Sequence, residues 1–418
     1  MLKPQKERSL LRILLIICLL AALAGAGIAF IRRGVPARLP IPAVRGTVPP
    51  SLDKARELAG AGKSAEAIAM LKTLAGGART AETLEAAFEL ARVENESGHV
   101  SESLKTLESA YRDFASTPNY ARAATAYAHA LDKAGRAPEA AKIYEEVLAS
   151  APKEMTAGAL LGLGRQAEAA SDLIKARDHY RQAVAAAVWD SPDWNEALDA
   201  LGKVNVALIF SPQETPESKR YAVQRGDSIT SIGNALNTTQ GLLMRANGID
   251  ENTVLNLGQL LKYTPKDFRI VIERSKLRLF LVDKDGIFKR YMVGLGKPGH
   301  ETTLGSYKLG NKEKNPIWHK PGAGPIPAGD PANELGTRWM PLIPERENLP
   351  KDLGIHGTIR PETVGQYSSN GCARLLPEEI EELYDLVVRS TPVDIVETFS
   401  PDMSIQPPST PESSTGTR

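Results

Sequence analysis

Cysteine is nearly missing from this chain: Cys18 and Cys372 are the only two among 418 residues. Cys18 lies inside an apolar N-terminal stretch, which leaves Cys372 without a disulfide partner in the chain and excludes a disulfide framework. An excess of one sign of charge is missing too. Lysine and arginine number 51 against 50 aspartate and glutamate, a formal net charge of +1. No long basic run follows the N-terminal flank, so nothing supports nucleic acid as a partner. Zinc-type spacing is absent among the six histidines. His99, His129 and His179 fall in a helical region as surface or packing residues, and His300 and His319 fall in loops without metal-ligand spacing to Cys372. No metal and no cofactor is expected.

What is present is a lone thiol near a histidine. Cys372 sits in Ser368-Ser369-Asn370-Gly371-Cys372-Ala373-Arg374, sixteen residues after the histidine of Ile355-His356-Gly357-Thr358. A neutral thiol attacks poorly and needs a base, so this pairing suggests nucleophilic catalysis. The competing reading is a small buried cysteine that only packs. Gly357 lets the backbone approach the imidazole closely.

The length suggests two to four domains, and the composition changes along the chain. Lys3, Lys6, Arg8 and Arg12 precede an uncharged apolar run from Ile13 to Ile31, closed by Arg32 and Arg33. Nineteen residues suffice for a transmembrane helix, so residues 1–33 are expected to anchor the chain in a membrane with the N-terminus cytoplasmic. A signal peptide cleaved at Ala22-Leu23-Ala24 is the alternative. Either way the chain beyond residue 33 lies outside the cytoplasm. Cys18 reads as an apolar filler, since no lipoprotein motif precedes it. Residues 34–50, with Pro36, Pro40, Pro42, Pro49 and Pro50, read as an extended linker.

Residues 51–210 are rich in alanine and leucine and repeat internally. Gly62, Gly98, Gly135 and Ser171 are spaced 36, 37 and 36 residues apart. Glu66, Glu102 and Glu139 follow the first three by four residues, and Leu71, Leu107, Tyr144 and Tyr180 follow all four by nine. A small turn residue with a large apolar residue in the next helix describes stacked helical hairpins, a solenoid in which neighbours cover one another's apolar faces. The pattern resembles tetratricopeptide repeats. It serves either as a helical spacer or as a concave surface for a protein partner.

A linker at 211–219 leads to Tyr221-Ala222-Val223-Gln224-Arg225-Gly226-Asp227-Ser228-Ile229, a strand running through a glycine turn into a capped helix. Asn247-Gly248 marks a later turn, and Leu257-Gly258-Gln259-Leu260-Leu261-Lys262 returns as a strand. Residues 220–264 resemble a LysM module of strand-helix-helix-strand order. The resemblance implies binding to N-acetylglucosamine in glycan strands, along a groove lined by Gly226, Asp227, Ser228, Ile229, Asn247, Gly248, Ile249 and Asp250.

From Phe268 the period changes to that of strands. Leu277, Leu279 and Leu281 are expected on one face, with Asp285-Gly286 as a two-residue hairpin turn before Ile287. One helix is expected, Pro377 to Val388, with Glu378 and Glu379 favoured at its positive end. Gly294-Leu295-Gly296-Lys297-Pro298-Gly299 matches a dinucleotide fingerprint as a pattern only. No helix can open at Pro298 and Gly299, so these are turn glycines.

Residues 268–398 resemble an L,D-transpeptidase catalytic domain. The pieces that carry the resemblance are Gly294-Leu295-Gly296, Thr302-Thr303-Leu304-Gly305-Ser306-Tyr307, Asn315-Pro316-Ile317-Trp318, Leu335-Gly336-Thr337-Arg338-Trp339, Ile355-His356-Gly357-Thr358 and Ser369-Asn370-Gly371-Cys372-Ala373-Arg374, in family order. Many members place histidine directly before the Gly-Cys, where this chain has Asn370; that puts substrate positioning or oxyanion contacts in doubt.

Together these readings give a multi-domain α+β protein, with an N-terminal transmembrane helix, an α-helical repeat solenoid, a small βααβ LysM module and a β-rich catalytic domain that bears the L,D-transpeptidase resemblance. That resemblance implies acyl transfer in peptidoglycan, and so a part in cell-wall organisation and cell shape. Cys372 is the nucleophile, His356 the general base, and the Gly357 carbonyl orients the imidazole. Gly371 and Cys372 amides, with Asn370, receive the oxyanion. Cys372 expels D-alanine from a stem tetrapeptide, and the side-chain amine of a diamino acid on a neighbouring stem completes the crosslink. Ser369, Tyr367, Trp318 and Trp339 shape the substrate pocket. Arg374 holds a substrate carboxylate or pairs with Glu378 or Glu382. The segment from Trp318 to Trp339 reads as a lid loop, and residues 399–418 as a disordered tail.

The expected place is the inner membrane, facing the periplasm and cell wall, or the secreted form after cleavage. Stem peptides and glycan strands are the expected partners. Competing readings are an L,D-carboxypeptidase or endopeptidase, an enzyme attaching protein to peptidoglycan, and a non-catalytic wall-binding scaffold that would form no carbapenem adduct.

Overall fold

A computed structural model describes residues 50–400, except 321 and 323, together with residue 403. The expected membrane helix, the linker up to residue 49 and residues 401, 402 and 404–418 of the expected tail lie outside these residues; Phe399, expected in that tail, is instead buried in the core at 1% exposure. Among the described residues no helix is long and apolar enough to cross a membrane.

The chain divides into two compact units, residues 1–74 and 75–418. The first contributes α1 (Leu52–Gly60) and all but the last residue of α2 (Ser64–Ala75). Ser51 caps α1 by accepting from the Lys54 amide at 3.2 Å. Gly62 turns between the two helices at φ +75°.

In the second unit the helical region comprises α3 (Ala81–Glu96), α4 (Val100–Asp113), α5 (Tyr120–Lys133), α6 (Ala137–Ser150), α7 (Ala157–Ala169), α8 (Leu173–Ala186) and α9 (Pro192–Ile209). Gly98, Gly135 and Ser171 all take positive φ between paired helices. Ser171 thus adopts the left-handed backbone that glycine supplies in the other repeats. The contacts repeat as well. Tyr144 donates to Asp132 and Tyr180 to Glu168, each at 2.9 Å and twelve residues back. A Cβ at Gly162 would overlap the Tyr144 ring, and one at Gly164 the Tyr180 ring. Small residues on α7 therefore admit the two tyrosines, and the hairpins stack as tetratricopeptide-like repeats. A concave groove of about 830 Å³ runs along them past Phe88, Leu104, Thr125, His129 and Arg165.

The next module has β1 (Lys219–Ala222), α10 (Ile229–Ala235), α11 (Gln240–Asn247) and β2 (Leu260–Tyr263), with β1 and β2 antiparallel. Val223, Ile232, Leu243 and Leu261 form its own small core.

The catalytic region contains β3 (Arg269–Glu273), β4 (Arg278–Asp283), β5 (Gly286–Met292), β6 (Leu295–Gly296), β7 (Gly305–Leu309), β8 (Glu313–Lys314), β9 (Trp318–His319), β10 (Pro325–Ile326), β11 (Arg338–Pro344), β12 (Gly354–His356), β13 (Tyr367–Ser369), β14 (Ala373–Arg374), α12 (Pro377–Leu386) and β15 (Pro392–Val396). Its main sheet runs β14-β12-β11-β7-β15-β3-β4-β5, with β8 added beside β11. Both faces of the β3–β4 pair are covered. Ile270, Ile272, Leu279 and Leu281 join Ile380, Leu383 and Leu386 of α12 in the main core. Val271, Phe280 and Val282 meet Trp194 and Leu198 of α9 together with Phe399.

Three local expectations are corrected. The hairpin loop is Lys284-Asp285, because Gly286 already pairs with Asp283. Leu277 lies in the turn before β4 at φ +55°, outside the strand face of Leu279 and Leu281. The helix ends at Leu386 rather than Val388.

Candidate active site

The site begins with strand register. β12 and β14 run parallel, Ile355 opposite Ala373 and His356 opposite Arg374. Side chains alternate along a strand, so Ile355 and Ala373 point into the core, where they are 0% and 2% exposed. Carried back one residue, the register puts Cys372 beside Gly354. Cys372 then shares a face with His356 and Arg374 as a diagonal neighbour, a separation of roughly 7–8 Å at the backbone that side chains can bridge. On the other side of β12, Trp339 of β11 pairs with His356, and the two rings sit 5.8 Å apart.

Gly354 makes room for this arrangement, since a Cβ there would overlap the Trp339 indole. Sequence reasoning passed over Gly354, although a glycine inside a buried strand marks close approach.

His356 is 4% exposed, and its Nδ1 lies 2.6 Å from the Gly357 carbonyl oxygen. A carbonyl only accepts, so Nδ1 carries the proton and Nε2 is left with a free lone pair. Burial, then the nearby Arg374 cation, draws the imidazole down to about 4, against the pull of the Gly357 and Leu335 carbonyls. Cys372 is partly exposed. Burial pushes its thiol up to about 11, opposed by the Gly354 amide and Arg374 and reinforced by Asp352. The thiol donates to the Asp352 carbonyl at 3.8 Å. Among the described residues no hydrogen bond joins the sulfur to the imidazole.

The turn carrying the nucleophile is held by Ser369, which is 1% exposed. Its hydroxyl donates to the Cys372 carbonyl at 2.7 Å and accepts from the Gly371 amide at 3.1 Å. The Gly371 carbonyl accepts from Thr302 at 2.8 Å. The Gly371 amide, expected to face the oxyanion, is therefore committed to Ser369. Among the described hydrogen bonds the Cys372 amide has no protein acceptor. Gly371 itself takes φ +121°, a backbone only glycine adopts without strain. Asn370 stands exposed at the tip.

Arg374 pairs with Glu334 at 3.0 Å, in place of the expected Glu378 or Glu382. The Tyr367 hydroxyl, expected in the pocket, donates to the carbonyls of Arg274 at 2.8 Å and Ser275 at 3.3 Å. Trp318 lies on the β9–β10 hairpin, with the Lys320 ammonium 5.0 Å from its ring. The lid segment is thus partly strand. Its base is held by Asn333, whose amide donates to the carbonyls of Pro316, Ile326 and Pro327 at 2.9, 3.3 and 3.0 Å. The fingerprint-like Gly294–Gly299 forms β6 and a turn, with no helix. Among the described residues no cluster of three or more His, Cys, Asp and Glu could hold a metal ion.

In the expected glycan groove, the polar side chains serve the fold. Asp227 accepts from the Tyr221 hydroxyl and the Gln224 amide, both at 2.8 Å, and Ser228 forms a capping box with Ser231. Asn247 ties α11 to β2, donating to the Leu243 and Lys262 carbonyls and accepting from the Lys262 amide. Gly226 and Gly248 take positive φ, Ile229 and Ile249 pack against the module's core, and Asp250 caps its own turn through Asn252 and Thr253.

Comparison with known proteins agrees with this division. Residues 267–395 match the YkuD family, the L,D-transpeptidase catalytic domain, and residues 221–263 match the LysM domain. The putative L,D-transpeptidase YqjB of Bacillus subtilis is 30% identical over 133 residues, 32% of this chain and 73% of that protein. The putative L,D-transpeptidase YkuD of Bacillus licheniformis is 26% identical over 181 residues, 42% of this chain and 97% of that protein. An L,D-transpeptidase structure from Mycobacterium tuberculosis H37Rv aligns at 18% identity and a TM-score of 0.27, over 34% of this chain and 64% of that one, just under two thirds of its length. The chain belongs to the L,D-transpeptidase family.

Proposed function

We propose that the protein crosslinks peptidoglycan stem peptides through a thioester on Cys372. The observation that carries this reading is the 2.6 Å contact between His356 Nδ1 and the Gly357 carbonyl oxygen. With Nδ1–H donated to Gly357, the basic Nε2 remains for the thiol that the β12–β14 register places on the same face. Both groups rest uncharged, so proton transfer accompanies attack. Substrate binding turns the sulfur from the Asp352 carbonyl toward Nε2. The sulfur bonds to the carbonyl carbon of the third stem residue, D-alanine leaves with the proton from His356, and an incoming side-chain amine releases the thioester. The Cys372 amide receives the oxyanion, with Asn370 at the rim as a second donor. One such donor contributes roughly 3–4 kcal/mol to the transition state. Ser369 holds the turn, while Trp339 and Trp318 border the stem-peptide groove.

The module at 220–264 holds glycan. With Asp227, Ser228 and Asn247 engaged internally, its recognition relies on backbone groups near Gly226 and Gly248 and on the apolar sides of Ile229 and Ile249. The repeats over 51–210 carry the catalytic domain outward from a membrane anchor at 1–33 into the wall space.

The test is incubation of purified protein with defined tetrapeptide muropeptides. A crosslinked dimer supports the transferase, whereas free acid alone would make the site a hydrolase. A wild type that yields neither dimer nor free acid and forms no thioester adduct would leave only a wall-binding scaffold.

A further inference from the structure

One acidic side chain is held by both chain segments that carry the reacting pair. Arg374 follows Cys372 by two residues and Arg360 follows His356 by four. A single oxygen of Glu334 lies 3.0 Å from Arg374 Nη2 and 3.0 Å from Arg360 Nη2. The Arg374 side chain is 8% exposed and that of Arg360 49%, so the cluster runs from the interior to the rim. Glu334 also opens the segment packed against the histidine. The Leu335 carbonyl faces the imidazole. Gly336 sits so close that a Cβ would come within 3.0 Å of the Thr358 amide nitrogen and 3.1 Å of the Gly357 carbonyl carbon.

We propose that Glu334 is a positioning residue for Cys372 and His356: it gathers Arg374 and Arg360 into one ionic cluster, fixes Leu335 and Gly336 against the imidazole, and offsets the Arg374 charge beside the reacting groups. The inference rests on the cysteine chemistry proposed above. His356 must become an imidazolium when it takes the thiol proton, and a bare Arg374 cation opposes that. The same cation favours the thiolate. The groups facing the sulfur are Arg374, Asp352 and the Gly354 amide; those facing the ring are Arg374 and the Gly357 and Leu335 carbonyls. Removing the Glu334 charge therefore has a split effect that mere loss of packing does not produce. The thiol becomes more acidic while turnover slows.

The test uses the full chain. Alkylation of Cys372 by iodoacetamide is followed against pH by intact mass, alongside turnover of a synthetic stem tetrapeptide with an amine acceptor. Glu334→Gln is expected to move the alkylation midpoint to lower pH and to lower kcat by about tenfold with little change in KM. Glu334→Asp should restore both. A Gln variant with an unmoved midpoint, or Gln and Asp variants equally impaired, overturns the proposal. If Glu334→Gln does not fold, Arg360→Gln reads the same cluster with opposite sign: losing the rim cation should raise the midpoint, and an unmoved one overturns the proposal. The alkylation profile needs no substrate, so a wild type inactive on every stem peptide would sink the functional reading while leaving this profile to judge Glu334.

Discussion

Burial draws His356 down to about 4 and pushes Cys372 up to about 11, so near neutral pH the two meet as imidazole and thiol rather than as an ion pair. Neutrality has a consequence for stability. The unfolded histidine titrates near 6.5 and the folded one near 4, so between those values the unfolded chain binds more protons and stability rises with pH. The contribution is complete above 6.5 and is lost as pH falls toward 4, roughly 3 kcal/mol at most. Glu379 acts in the opposite sense. Burial pushes its carboxyl from 4.5 to about 7, so the folded chain binds more protons in that window and stability falls as pH rises through it. Denaturant titrations of Glu379→Gln, which removes the opposing group, should show a steeper gain in stability from pH 4.5 to 6.5 than the wild type. A shallower gain would contradict these assignments.

Glu379 also shows where helix rules yield to packing. An acidic residue in the first turn of α12 suits the helix dipole, yet its Oε2 is buried without a hydrogen-bond partner, and desolvation outweighs the dipole. The lid shows the converse. Its prolines and glycines announced a loop, but nothing local announced that Asn333, 2% exposed, would hold three carbonyls from two sides of it. Asn333→Ala leaves those acceptors unpaired at a cost of about 1–3 kcal/mol. The expected outcome is faster hydrogen exchange over 316–337 and reduced turnover, with the β3–β4 pair as protected as before. Equal loss of protection throughout the catalytic sheet would show that Asn333 supports the core instead. What could be read from local pattern was the repeat register, because Gly98, Gly135 and Ser171 answer a backbone need that any stacked hairpin has. The lone thiol, the Gly-Cys-x-Arg turn and the histidine followed by glycine were legible for the same reason. Glu334 was not, since a carboxylate in a loop acquires meaning only when Arg360 and Arg374 arrive from elsewhere.

The modules of residues 75–400 are packed together. Leu242 of α11 enters the catalytic core, Thr239 bonds to the Asp385 carbonyl, and Arg245 lies 3.5 Å from Asp385 and 3.5 Å over the Phe210 ring. Lys262 reaches the carbonyls of Leu208, in the last turn of α9, and of Ser211, just past it, at 2.8 and 2.6 Å. On the other flank Asn205 of α9 bonds to the Phe288 carbonyl at 2.8 Å, and Asp199 pairs with Arg290 at 2.7 Å. Periodicity located each module but could not reveal this docking, because the contacts join residues more than thirty positions apart. Gly241 lies where a Cβ would overlap the Asp385 carboxylate. Gly241→Val should cost about 1–3 kcal/mol by overpacking and loosen residues 219–263 in hydrogen exchange while leaving small-substrate turnover intact; unchanged exchange there would mean that the docking is weak.

The chemistry itself stands on the sulfur of Cys372 and the free nitrogen of His356. Intact-protein mass spectrometry during reaction with a stem tetrapeptide reads it directly. The wild type should gain the mass of the tetrapeptide less D-alanine on Cys372. The Cys372→Ser and His356→Ala variants should gain little or none. An adduct of undiminished yield in His356→Ala, or one mapped to any residue other than Cys372, would contradict the account.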